Sequence, residues 1–161
     1  MAVLNNCVGV SVPSRIRSNE DISNLFPEWN SASIFSKIGI KNRFICGTQE
    51  NSLSLAVGAY MDLKVKVEDL SFDFLLFVSN SSQMKAPGDG HLFLKEINNS
   101  VPVGCLDLNM GCSGYTYALG LAGSIIDAGN ASNVLVITTD AYSKFFDEDD
   151  KSNMAIFGDG S

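Results

Sequence analysis

LDLNMGCSGYTYALGLAGSIIDAG, residues 106–129, joins three signals in one short run. Val101–Leu108 reads as an apolar strand. Gly111-Cys112-Ser113-Gly114 is a sharp turn, because glycine tolerates backbone angles that other residues avoid. Gly114–Gly129 then reads as a helix, with Tyr115, Ala118, Leu119, Ala122, Ile125 and Ile126 along one side. Gly120 and Gly123 lower its helical propensity and are tolerated if a neighbour packs closely against them. A helix buried nearly all round is therefore expected, stopped by Gly129 and Asn130.

Outward from this unit the same alternation recurs. Val134–Thr138 is β-branched and apolar, and predicts a buried strand. Phe72–Val78 predicts another. From Ser52, Leu53, Ala56, Val57, Tyr60 and Met61 recur at helical spacing. Pro87 and Gly88 open a weaker helix holding Leu92, Phe93 and Ile97. Val3–Val12, closed by Pro13, reads as a first strand, and the polar stretch through Arg43 reads as loop. Strands that are apolar without alternation, interleaved with helices, imply an α/β fold with a mostly parallel sheet and helices on both faces. No internal repeat is found.

The chain has 161 residues, the length of one domain or an incomplete one, with 45% hydrophobic and 18% charged residues. That composition excludes disorder, and no apolar run reaches the ~18 residues of a membrane span. MAVLNNCVGV lacks the basic flank of a signal peptide, so a cytoplasmic location is expected. The net charge of −7 argues against nucleic acid, which is bound through Lys and Arg. It also disfavours this part of the protein as a dock for an acidic carrier.

Four cysteines, Cys7, Cys46, Cys105 and Cys112, form no CxxC pair and share one histidine, His91. No metal site is expected from that spacing. Only Cys112 combines a glycine turn with a helix start, where unpaired N–H groups and the helix dipole favour a thiolate. The same groups stabilise the oxyanion formed when a thioester carbonyl is attacked. A nucleophile elbow with Cys in place of Ser is one reading, and a buried structural thiol is the other. His91 sits in a weak helix among Leu92 and Phe93 with no acidic orienting partner, and reads as a surface or helix-start residue. Phe157-Gly-Asp-Gly160 lacks the Lys-Ser/Thr of a phosphate loop, and Asp147–Asp150 reads as a solvated loop.

Residues 106–129 resemble the active-site segment of beta-ketoacyl-acyl-carrier-protein synthase III, a condensing enzyme of the thiolase superfamily. Gly39-Ile-Lys-Asn-Arg43, Glu50–Ala56, Glu68–Val78 and Ile156-Phe-Gly-Asp-Gly160 resemble further segments of that family in the same order. The resemblance implies that residues 1–161 are an incomplete amino-terminal thiolase-like domain, truncated before its last strand, with the carboxy-terminal half absent. It implies a homodimeric acyltransferase of fatty-acid biosynthesis in which Cys112 takes an acyl primer and condenses it with malonyl-carrier protein. No permanently bound cofactor is implied; acyl-coenzyme A and acyl-carrier protein are the expected substrates and partners.

The family supplies a catalytic His and Asn from its second half, so this chain by itself is expected not to condense. Family members often hold the adenine of coenzyme A between a Trp and an Arg. Here Ser33 falls at the first position and Lys151 at the second, with Trp29 a substitute if the loop is rebuilt; Lys lacks the planar guanidinium. Ala86 stands where some members carry a bulky residue that reaches into the partner's acyl pocket. Two alternatives stay open: a non-catalytic remnant or structural fragment, and a related synthase making hydroxymethylglutaryl or polyketide products.

Overall fold

Hydrogen-bonding side chains, rather than a neighbouring strand, organise the beginning of this chain. The computed structural model describes residues 1–5 and 7–161. Val3–Val12 is not a strand as expected (Asn6 lies outside the described residues). The Val10 N–H donates to Asp62 and the Lys66 ammonium donates to the Val8 carbonyl, which takes up backbone groups a ladder would have used. Among the described residues of this run, only Ser11 finds a strand-like partner, exchanging two 2.9 Å backbone hydrogen bonds with Ser161.

The polar stretch that follows is also more regular than its composition implies. Strands β1 (Arg15–Ser18) and β2 (Asn42–Ile45) pair antiparallel, with helices α1 (Asn19–Leu25) and α2 (Ser31–Ile38) between them. The helices start where their caps stand. Ser18 and Asp21 form a reciprocal capping box, and Asn30 accepts from the Ala32 and Ser33 amides. The buried Arg43 guanidinium donates to Asn19 Oδ1 and to the Ala155 carbonyl, tying β2 to α1 and to the last helix, α6 (Lys151–Ile156).

The central unit follows the predicted order: α3 (Ser52–Lys66), β3 (Phe74–Val78), α4 (Asp89–Glu96), β4 (Gly104–Leu108), α5 (Gly114–Asp127) and β5 (Val134–Thr138). The three strands form a parallel sheet in the order β4-β3-β5. Side-chain alternation sends Leu75 and Phe77 of β3 to one face, against Ala56 of α3 and Phe93 of α4. Leu76 and Val78 go to the other face, against Ala118 and Ala122 of α5. Helices therefore cover both faces, as the apolar strands required.

Helix α5 departs from expectation. Only Gly114, Ala118 and Ala122 are buried, while Tyr115 and Tyr117 are 53% and 60% exposed. Small residues at a four-residue spacing bring one stripe of the helix onto the sheet and leave the rest open. A Cβ at Gly120 would meet nothing within 4 Å, so that glycine does not serve packing. Gly114 does, since a Cβ there would lie 2.5 Å from Val78 Cγ1.

Candidate active site

In an open parallel sheet, strand carboxyl ends form the natural crevice for a site. Here Val78, Leu108 and Thr138 end side by side in register. Cys112 lies just beyond β4, in a single 3₁₀ turn, Gly111–Ser113, that runs straight into α5. Gly111 holds the left-handed conformation, φ +57°, that makes the reversal possible. Gly111, Cys112 and Ser113 are all exposed. Neither the turn nor α5 carries a side-chain cap of its own, so no capping side chain occupies the Cys112 amide.

The elbow is braced from the ends of the other two strands. The Gly111 N–H donates to Asn80 Oδ1 at 3.0 Å. Asn80, two residues past β3, in turn donates to Asp140: its backbone N–H to Oδ1 at 2.8 Å and its side-chain amide to Oδ2 at 3.1 Å. Ser81 and Ser79 hydroxyls also donate to Oδ1, at 2.8 and 3.3 Å. Asp140 follows β5, so one carboxylate links the ends of β5 and β3 to the turn that presents Cys112. No local spacing signals this brace, because the residues are 31 to 61 positions apart and meet through the parallel register.

The other thiols differ in kind. Cys46 is buried, its N–H donating to Asp159, and burial followed by the Asp159 charge pushes its thiol up to about 12. Burial, then Asp107, pushes Cys105 to about 11. Cys7 and Cys112 are exposed, and of the two only Cys112 stands on a turn feeding a helix. The Asp159 of the Phe157–Gly160 segment also accepts from the Ser143 amide and hydroxyl, so that segment is a structural knot.

Trp29, Ser33 and Lys151 come together, as one region. Trp29 and Ser33 line a cavity of about 360 Å³ with Ile34, Lys37, Ile38 and Ala155. The Lys151 ammonium sits 5.5 Å from the Trp29 ring centroid and 2.5 Å from Glu28, whose carboxyl that hydrogen bond holds below its usual range. Ser33, on the first turn of α2, presents only a hydroxyl, while the indole comes from the residue just before the α2 cap. The Asp147–Asp149 side chains are exposed, and Asp150 caps α6.

His91 is exposed on the first turn of α4. The expectation that it lacks an acidic neighbour is wrong in space: its donor atom, Cys105 Sγ and an Asp107 carboxylate oxygen all lie within 4.8 Å of one another. Sequence reasoning counted neighbours along the chain, whereas here the helix lies over the strand.

A family model described as 3-oxoacyl-[acyl-carrier-protein (ACP)] synthase III matches residues 106–161. The chain is 29% identical over 160 residues to the beta-ketoacyl-[acyl-carrier-protein] synthase III of Coxiella burnetii (strain CbuK_Q154), covering 96% of this chain and 49% of that protein. It is 31% identical over 159 residues to the corresponding synthase of Clostridium acetobutylicum, covering 95% and 47%. The crystal structure of 3-oxoacyl-[acyl-carrier-protein] synthase III from Aquifex aeolicus VF5 superposes with a TM-score of 0.87 at 29% identity, covering 95% and 49%. The chain thus spans about half the length of the curated relatives it matches.

Proposed function

We propose that this chain, which is similar to beta-ketoacyl-acyl-carrier-protein synthase III enzymes and shares their thiolase-like fold, carries the acyl-accepting half of a condensing enzyme, with Cys112 as nucleophile. The observation that carries the reading is the exposed Cys112 elbow at the carboxyl ends of three parallel strands, braced through Asn80 to Asp140. Residues 1–161 would be the amino-terminal half of the whole enzyme, a homodimer of the cytoplasm.

The chemistry follows from the elbow. The Cys112 thiolate attacks the carbonyl carbon of an acyl thioester, and the new C–S bond pushes charge onto the carbonyl oxygen. The Cys112 backbone N–H, which no capping side chain occupies, would stabilise that oxyanion. Collapse of the intermediate breaks the original C–S bond, leaves the acyl group on Cys112, and expels the donor thiolate, which takes a proton from water. Coenzyme A is the proposed donor carrier. Trp29, with the Lys151 cation above it, would offer the adenine a ring and a point charge in place of the usual Trp and Arg pair. Acyl-carrier protein would deliver the malonyl partner, and the condensation step would draw on groups outside these residues. Malonyl decarboxylation by the 161-residue chain alone is therefore expected to be negligible.

Incubation with short acyl-coenzyme A thioesters, followed by intact mass measurement and peptide mapping, tests the proposal. One acyl group on Cys112 is expected, and none in the Cys112→Ser variant. Acylation spread equally over Cys7 and Cys112 would refute it.

A further inference from the structure

A second group of chemistry-bearing side chains stands apart from the elbow, where α4 lies over β4. Cys105 and Asp107 are two residues apart on β4 and point to the same face, and His91 reaches them from the first turn of α4. One donor atom from each lies within 4.8 Å of the other two. Gly90 lets the helix come this close, for a Cβ there would lie 2.7 Å from Cys105 Sγ and 3.0 Å from Asp107 Oδ2. The Gly90 N–H donates to Asp107 Oδ1 at 2.9 Å, which fixes the carboxylate and leaves Oδ2 on the Cys105 side.

We propose that His91, Cys105 and Asp107 form a three-ligand site for a zinc ion. The donor chemistry selects the ion: one sulfur, one imidazole nitrogen and one carboxylate oxygen suit zinc, whereas magnesium and calcium require oxygen throughout. Charge balances too, because a thiolate and a carboxylate with a neutral imidazole offset a divalent cation. The exposed His91 leaves the site open to solvent, so water completes four-coordination. The Gly90 N–H serves as the outer-shell donor that orients a metal-bound carboxylate. Gathering three atoms from 4.8 Å to bonding range is work for the His91 rotamer, the one exposed ligand. As the metal–sulfur bond forms, the Cys105 proton leaves to solvent, and no electron is transferred.

Cobalt(II) is the probe, titrated into the full chain carrying Cys7→Ser and Cys112→Ser, so that neither exposed thiol competes. One equivalent is expected to bind with an intense sulfur-to-cobalt absorption and to be displaced by one equivalent of zinc. His91→Ala, at an exposed position that leaves the fold alone, should weaken binding by about tenfold or more, since outer-shell partners alone are worth 10–100-fold. Cys105→Ala, with folding verified by circular dichroism, should abolish the band. Absence of the band at stoichiometric cobalt, its persistence in Cys105→Ala, or unchanged affinity in His91→Ala would each overturn the site. Because Cys112 is absent from the test protein, these results are independent of the nucleophile assignment.

Discussion

Replacing Asp140 by Asn tests whether the brace behind the elbow holds Cys112 in place. The carboxylate accepts four hydrogen bonds, three on Oδ1 from Ser79, Asn80 and Ser81, and one on Oδ2 from the Asn80 amide. An Asn side chain has one acceptor oxygen. Its better orientation keeps the three bonds and sets an NH2 group against the Asn80 NH2 group. The cost is one hydrogen bond to a charged group, about 1.5–3 kcal/mol. At about 2–4 °C per kcal/mol for a chain of this size, Tm should fall by roughly 3–12 °C. Asn80 then loses the contact that orients its Oδ1 toward the Gly111 N–H, so Cys112 should alkylate at a different rate near neutral pH. Asn80→Ala provides the contrast: it removes the link to Gly111 directly and leaves the Asp140–Ser81 bond in place. Its stability cost should be at least as large, because it loses the same amide-to-carboxylate bond, about 1.5–3 kcal/mol, and also the neutral bond to Gly111, about 0.5–1.5 kcal/mol, with a comparable change in Cys112 reactivity. Thermal unfolding by circular dichroism and timed iodoacetamide labelling read both quantities. If Asp140→Asn leaves Tm and labelling rate unchanged, the brace does not act on the elbow.

Two glycines of α5 should respond with opposite sign. Gly114→Ala forces a methyl against Val78 and should cost about 1–3 kcal/mol by overpacking, while Gly120→Ala meets open space and should gain about 0.5–1 kcal/mol in urea unfolding. The thiols of Cys46 and Cys105 are raised in the folded chain, so between about pH 9 and 11 they stay protonated while their unfolded counterparts ionise. The unfolded state then binds fewer protons, stability falls across that window, and Cys46→Ala with Cys105→Ala should flatten the fall in a Tm-against-pH series. Lys151→Ala removes the cation over Trp29 and should weaken coenzyme A binding about two- to fivefold, the value of a cation–π contact worth about 0.5–1 kcal/mol, as read by calorimetry.

The central unit was legible because its elements are long or strongly apolar. Val134–Thr138 begins and ends where its β-branched run does, and Ser52 starts its helix one residue after the Asn51 cap. The amino-terminal stretch reads as loop from its composition, although Ser18-x-x-Asp21 and Asn30 carry cap signals. The helices they start are only seven and eight residues long, too short for periodicity to stand out from polar loop. Val3–Val12 failed for the opposite reason: an apolar run satisfies the strand pattern, but a strand needs a ladder partner, and pattern says nothing about that. Around Cys112 the glycines and the helix start were visible. Asn80 and Asp140 were not, since a parallel sheet joins residues that no local spacing relates.

The strand order β4-β3-β5 also sets a clock. Phe74 pairs with Gly104, thirty residues onward, and with Val134, a further thirty beyond that. Doubling the loop adds only about 0.6 kcal/mol of closure entropy, so the delay is one of supply rather than of energy. A ribosome adding about 5–20 residues per second leaves Phe74-Leu-Leu-Phe-Val78 without either neighbour for roughly two to six seconds. During that interval the most apolar run of the chain emerges first and waits longest, which makes it the segment a holding chaperone would meet.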